Sequence, residues 1–266
     1  MPGIEAWARR LGRLAMGLIL VPAWCLEAQL KISDTGWLRY RVVTLSESKE
    51  PDIKLSPETQ ALSSSATRIY LSSYHNQPAY LMEREDRTLK GDLVLWKCFM
   101  EKDTMSLFRT EKKMISRSGK TVKESFTDYQ DPMYNYPKNT CHIYTIAAMI
   151  MARAPKPGSR FDLALLLNED AYPIHMWVVT DGIERITVPA GTFDCIRIKL
   201  EPDYDNILGR WSWTAPIIRR FVPDYTFWMD QNYTHGLILF SGAFGPIGGA
   251  SSQRHELTKI EEPEKK

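Results

Sequence analysis

Between residues 37 and 45 the chain reads WLRYRVVTL, so that Trp37, Arg39, Arg41 and Val43 alternate with Leu38, Tyr40 and Val42. A period of two with β-branched and aromatic side chains describes a half-buried β-strand. The pattern returns at short intervals over residues 67–75, 79–85, 92–100, 104–114 and 120–129. It resumes over 160–168, 173–181, 183–188, 192–201, 225–230, 236–241 and 253–260. Turn-forming residues separate these runs: Asn76-Gln77-Pro78, Lys102-Asp103, Arg117-Ser118-Gly119, Pro189-Ala190-Gly191, and Asp181-Gly182 as a hairpin signal. Many short strands joined this way predict an all-β fold built on an antiparallel meander.

One stretch departs from the period of two. In residues 139–153 (NTCHIYTIAAMIMAR), Ile143, Ile146, Ala147, Ile150 and Met151 fall on an i, i+3, i+4, i+7, i+8 stripe. That predicts one short helix, capped by Asn139 or Thr140 and ended by Pro155 and Pro157. Residues 46–65 are polar, with Pro51, Pro57 and three consecutive serines, and read as a long loop. No repeat and no sharp change of composition divides residues 29–260, which read as a single β-rich domain. Residues 261–266 read as a solvated tail.

The first 28 residues have a different logic. Arg9, Arg10 and Arg13 precede an apolar run from Leu14 to Ala23, and Ala28 supplies a small residue for cleavage. This is the layout of a secretory signal peptide. Its apolar run falls short of the roughly 20 residues that span a bilayer. The expected location is periplasmic, with no stable transmembrane segment after cleavage. Alternatives are an envelope anchor through Cys25 or an uncleaved N-terminus; Trp24 is bulky for the first of these and Glu27 argues against the second. The full chain carries 34 basic and 32 acidic side chains. Removing the leader takes away three Arg and two Glu, which leaves a near-neutral protein with no field to attract nucleic acid. Cys98, Cys141 and Cys195 remain in a compartment that permits disulfides, and the sequence leaves open both a single pair and three buried thiols.

Tests for chemistry return nothing specific. His75, His142, His175, His235 and His255 show no metal-ligand spacing, and only Cys141 and His142 are neighbours. Ser46-Glu-Ser-Lys49 matches a bare Ser-x-x-Lys pattern without its partner motifs. The glycine-rich run 242–249 lacks the Lys-Ser/Thr of a phosphate loop. Asp203, Asp205, Asp224 and Asp230 do not have calcium-loop spacing. No metal and no cofactor is expected, and the chain reads as a non-enzyme.

The segment VPAGTFDCIRI, from Val188 to Ile198, resembles the signature of a bacterial exported family, domain of unknown function 3108. The similarity extends over about residues 130–260: a helix ending in Arg153 before a Pro/Gly turn, a Gly-Thr-Phe hairpin, and a late strand carrying Trp228 and Asp230. The resemblance implies a curved antiparallel sheet or open β-barrel with one short helix plugging it, similar to periplasmic lipid and lipoprotein carriers. It implies no catalytic residues. Gly191, Thr192 and Phe193 suit a structural turn, Gly191 for a positive φ and Phe193 for a buried strand position. The connection 204–227 is long, aromatic and basic. Trp211, Trp213, Arg219, Arg220, Phe221, Tyr225 and Trp228 are its candidate ligand-binding rim or lid. The expected function is binding or carriage of a lipid-like, apolar ligand. The alternatives are envelope assembly through contacts with another envelope protein, and a hydrolase with an unrecognised site. When the chain is produced with its leader, the exported product is expected to begin at Gln29. Intact-mass measurement checks this, and a product that keeps Met1 or carries acyl groups on Cys25 contradicts it.

Overall fold

The structure is a computed structural model that describes residues 35–45, 62–167, 172–218, 224–233, 235–243 and 252–263. The leader, residues 46–61 of the expected loop and the glycine-rich residues 244–250 lie outside the described residues. Thirteen described strands form one sheet. In chain order they are β1 (Leu38–Leu45), β2 (Leu62–Tyr74), β3 (Gln77–Thr88), β4 (Leu93–Glu101), β5 (Leu107–Ile115), β6 (Thr121–Asp128) and β7 (Thr140–His142). After helix α1 (Ile146–Arg153) come β8 (Arg160–Leu166), β9 (Ile174–Val188) and β10 (Gly191–Pro202). Helices α2 (Tyr204–Leu208) and α3 (Ala215–Ile218) follow, then β11 (Tyr225–Asp230), β12 (Leu237–Ala243) and β13 (Ser252–Ile260). The sheet runs β6-β5-β4-β3-β2-β1-β13-β12-β11-β10-β9-β8-β7 without closing. Two meanders are therefore joined by the β1–β13 pair, in which Leu38 faces Ile260 and Val42 faces His255. Every described pairing is antiparallel except β7 with β8.

Local chemistry moves several boundaries away from the sequence expectation. β2 begins at Leu62, so the three serines 63–65 belong to a strand and not to the loop. The β2–β3 hairpin turns on His75 and Asn76, whose φ values of 46° and 64° are those of a two-residue turn with both residues left-handed. Gln77 and Pro78 already pair with Tyr74 and Ser73. Pro78 precedes the first β3–β4 pair, Ala79 with Glu101, so its missing N–H costs the ladder nothing on that side. Asp181-Gly182 is not a hairpin. It lies inside the 15-residue β9, where Ile183 pairs with Ile196 and Thr180 with Ile198, so two residues oppose Arg197 alone. This is a β-bulge. Arg197 bonds Asp181 at 2.8 Å and Glu184 at 2.5 Å, and Lys199 reaches Asp181 at 3.0 Å.

The expected helix is shorter than the apolar stripe. Residues 140–142 pair with β8, Cys141 facing Leu165, so neither Asn139 nor Thr140 is a cap. His142 N–H donates to Thr145 Oγ1 (3.0 Å), and this turn sets the start of α1 at Ile146. At the far end the Ala154 N–H donates to the Ile150 carbonyl, with Ala154 left-handed. Two further helical pieces, α2 and α3, add to the single helix expected.

Ile146, Ala148, Met149, Ile150 and Met151 of α1 are all buried, so this short helix is apolar nearly all round and sits within the curve of the sheet. It packs into one cluster with Ile69, Tyr80, Met82, Met100, Leu163, Leu165, Val178, Ile198, Phe227 and Phe240, drawn from eight strands. Seven methionines line this space: Met82, Met100, Met105, Met149, Met151, Met176 and Met229. Unbranched thioethers fill irregular gaps well. A smaller cluster forms where the β9–β10 hairpin tip meets β13, with the Ala190 N–H donating to the Leu257 carbonyl at 3.0 Å. Met149→Ala is expected to lower stability by about 2–5 kcal/mol, whereas Met133→Ala, at an exposed site, stays within about 0.5 kcal/mol. Urea denaturation of the two variants checks this.

Candidate functional site

The centre of the curve is packed around α1, and an opening lies beside α2. A cavity of about 520 Å³ runs between β8, β9, β11 and α2. Leu165, Ile174, Met176, Leu208 and Tyr225 form its apolar wall, with His175, Tyr204 and Asn206 as its polar members. Tyr172 and Ile207 line it while remaining exposed, which marks the mouth. The wall follows from strand alternation: Leu163 and Leu165 in β8, and Met176 and Val178 in β9, point to the same side as Tyr225 and Phe227 in β11. Helix α2 is held over it by its first turn. The Asp203 N–H donates to the His175 carbonyl (2.9 Å), and Asp203 Oδ1 accepts from the Asn206 N–H (3.3 Å). Gly209, with φ 50°, ends the helix. Burial raises the Tyr225 hydroxyl to about 12, so it stays a neutral donor.

The candidate rim residues scatter around this cavity. Tyr225 lines it. Trp211 and Trp213 lie just beyond α2, their ring centroids 6.3 Å apart, exposed and outside the lining. Trp228 alternates with Tyr225, Phe227 and Met229 and packs instead against the smaller cluster, its indole N–H donating to Glu184 at 2.9 Å. Arg219, Arg220 and Phe221 lie outside the described residues. Gly191 (φ 143°), Thr192 and Phe193 form the β9–β10 tip, Thr192 bonding Thr187 and Phe193 meeting His235 edge-on at 5.7 Å. Leu165, Ile174 and Met176 were not singled out by sequence, because cavity wall and packed core look alike in a strand pattern.

A second constellation, also unmarked in the sequence, is a polar layer inside the fold. The buried face of β3 runs Tyr80, Met82, Arg84, Asp86, Thr88, turning from apolar to charged along one strand. Arg84 Nε donates to both Asp86 oxygens, at 2.8 and 3.0 Å. Burial pushes the Asp86 carboxyl up, against the pull of Arg84 and Lys112. The Arg84 guanidinium lies 4.8 Å from the Tyr144 ring centre, and the Lys112 ammonium 4.6 Å from that of Trp96. His142 packs beside both rings, at 5.0 and 5.6 Å, and the two rings meet each other at 4.7 Å. Its Nδ1 accepts from the Tyr144 N–H (3.3 Å), which places the proton of the neutral ring on Nε2. Arg84 Nη2 and His142 Nε2 have no hydrogen-bond partner among the described residues. Aromatic faces surround both groups.

His255 is the satisfied counterpart. Its Nε2 donates to Gln253 Oε1 (3.3 Å), and its Nδ1 accepts from Ser65 Oγ (3.4 Å). The order Ser–His–amide is that of a nucleophile with its base, yet Ser65 is 3% and His255 2% exposed. Its ring nitrogens meet Ser65 and Gln253, and burial together with Arg84 holds the imidazole pKa well below its ordinary value, which makes it a weak base. The thiols of Cys98, Cys141 and Cys195 are buried and form no disulfide. Burial pushes Cys141 and Cys195 up to about 12. Among the described residues no three His, Cys, Asp or Glu side chains gather as a metal site, and no helix is long and apolar enough to cross a membrane.

No family model and no curated protein matches the chain. Among solved structures it is similar to a β-barrel-like protein of domain of unknown function 1849 from Brucella abortus. That match has 12% identity and a TM-score of 0.46, over 87% of this chain and 99% of the other. It is similar too to the hypothetical lipoprotein YmcC from Escherichia coli, with 12% identity and a TM-score of 0.32 over 85% of each chain. At these values the likeness carries no statement about ligand or activity.

The polar layer has a pH signature. Burial, with Lys112 and Arg84, lowers the His142 pKa to about 3. A depressed folded-state pKa means that the unfolded chain binds the proton first. Stability from this group is therefore present above the unfolded pKa near 6.5 and is lost as pH falls toward 3. By pH 5 the loss from His142 is about 2 kcal/mol. The wild-type urea midpoint is expected to fall between pH 7 and 5 relative to that of His142→Phe, which removes the titrating group but keeps a ring packed against Trp96 and Tyr144.

Proposed function

We propose that this chain is an exported binding protein that holds an apolar, lipid-like ligand in the cavity between β8, β9, β11 and α2. The observation that carries this function is the cavity itself. Its volume of about 520 Å³ lies in the range of about 300–1,000 Å³ typical of small-molecule sites. Its wall is aliphatic and aromatic, with a few polar groups near α2. An alkyl chain seated there would gain about 0.8 kcal/mol for each CH₂ removed from water. The proposal needs no catalytic step: the Ser–His contact is sealed inside the fold, and the cavity wall contains no paired acid and base.

A second function, assembly through an added β-strand, is favoured by one observation. Among the described strands β6 has a single neighbour, β5, and it exposes Val122 and Phe126. A strand edge of this kind can accept another chain.

Native mass spectrometry of the mildly purified mature protein is expected to show co-purified lipid or uptake of an added long-chain fatty acid. Ile174→Trp, which fills the cavity from β9, is expected to lower occupancy several-fold while the circular dichroism stays unchanged. A clean apo mass with no fatty-acid uptake sinks the proposal. Capture of an envelope protein by that same apo chain would then favour the β6 edge.

A further inference from the structure

The side chains beside the cavity mouth are unusual in their exposure. Ile207 is 45% exposed, Trp211 54%, Trp213 69% and Tyr172 85%. Large aromatic groups dominate a core when they are buried, and in water they leave apolar area unused. Here they are concentrated at one place. Ile207 belongs to α2, Trp211 and Trp213 lie on the 3₁₀ turn Gly209–Thr214 that follows directly, and Tyr172 enters from the β8–β9 connection. Ile207 and Tyr172 belong at once to the cavity lining and to the exposed surface. Whatever covers this rim also covers the mouth.

We propose that this rim seats on the surface of a phospholipid bilayer, so that an apolar ligand passes between bilayer and cavity without crossing water. The proposal rests on the cavity being a ligand site. Indole and phenol rings combine an apolar body with a polar edge, the chemistry favoured at the boundary between headgroups and acyl chains. Residues 209–218 (GRWSWTAPII), which bear both tryptophans, carry Arg210 and no carboxylate, the nearest acidic groups being Asp203 and Asp205 at the first turn of α2. The helical pieces around the rim are five, six and four residues long. They follow one another directly, but Gly209 (φ 50°) breaks the first from the second, so the rim offers side chains and not one continuous amphipathic helix. A bilayer also accounts for the continuity between rim and cavity, because its acyl chains are of the same class as the proposed ligand.

Cosedimentation of the mature protein with vesicles of phosphatidylethanolamine and phosphatidylglycerol tests this, together with quenching of tryptophan emission by brominated acyl chains. Wild-type protein is expected to sediment and to be quenched. Trp211→Ser/Trp213→Ser is expected to weaken vesicle binding by about ten-fold or more, with unchanged circular dichroism and unchanged fatty-acid occupancy in solution. Ile174→Trp is expected to keep vesicle binding while losing occupancy, which separates failure of the rim from failure of the cavity. Absence of wild-type sedimentation overturns the proposal, as does equal sedimentation of the double tryptophan variant. Binding to native envelope vesicles but not to pure lipid would assign the rim to a protein partner and also overturn it.

Discussion

The fold depends on a mutual burial. A sheet of thirteen described strands that curves without closing presents an apolar concave surface, and something must take it out of water. Helix α1 does so, with five of its eight residues buried. Eight residues are too few for a helix to persist on its own in water. The sheet therefore stabilises the helix that fills it. The methionines around α1 let an irregular helix-in-sheet interface reach close packing without a strict interdigitating pattern.

Filling the centre has a cost in polarity at one end of the fold. Beyond the methionine layer the inward residues of β3 become Arg84, Asp86 and Thr88, and the interior there is held by an ion pair, two neutral imidazoles and the rings of Trp96 and Tyr144. Leaving one member of such a buried pair alone is far more destabilising than the pair is stabilising. The large described opening lies under α2, where the wall is shared by β8, β9 and β11.

Much of the architecture was legible because a period of two is hard to mistake. β11 is found at the expected residues, 225–230, since both its ends are marked by a change of pattern. The errors fall where local chemistry gave the wrong sign. Asp181-Gly182 carries a hairpin signal, yet two residues opposite Arg197 can be absorbed as a bulge when ion pairs fix them. The segment 139–153 expected to be helical overlaps β7, Thr140–His142, where a short run serves strand and helix equally well. The site was less legible. The sequence directed attention to the aromatic connection after β10, and α2 does cover the cavity. Most of its wall, however, is ordinary strand hydrophobics, and the charged layer appears only when the register shows that Arg84 and Asp86 share the buried face of β3.

The central β1–β13 pair also orders assembly in time. Each meander can form from near neighbours, but the two are stitched together by strands more than two hundred residues apart, Leu38 against Ile260. Pairings of such long separation close late. The concave surface that α1 must fill spans both meanders, since Ile69 and Met82 lie in one, and Ile198 and Phe240 in the other. A chain emerging from its N-terminus thus holds an unfinished interior, with apolar surface still open, until its last strand arrives. The seam that completes the sheet is also the clasp that hides the core.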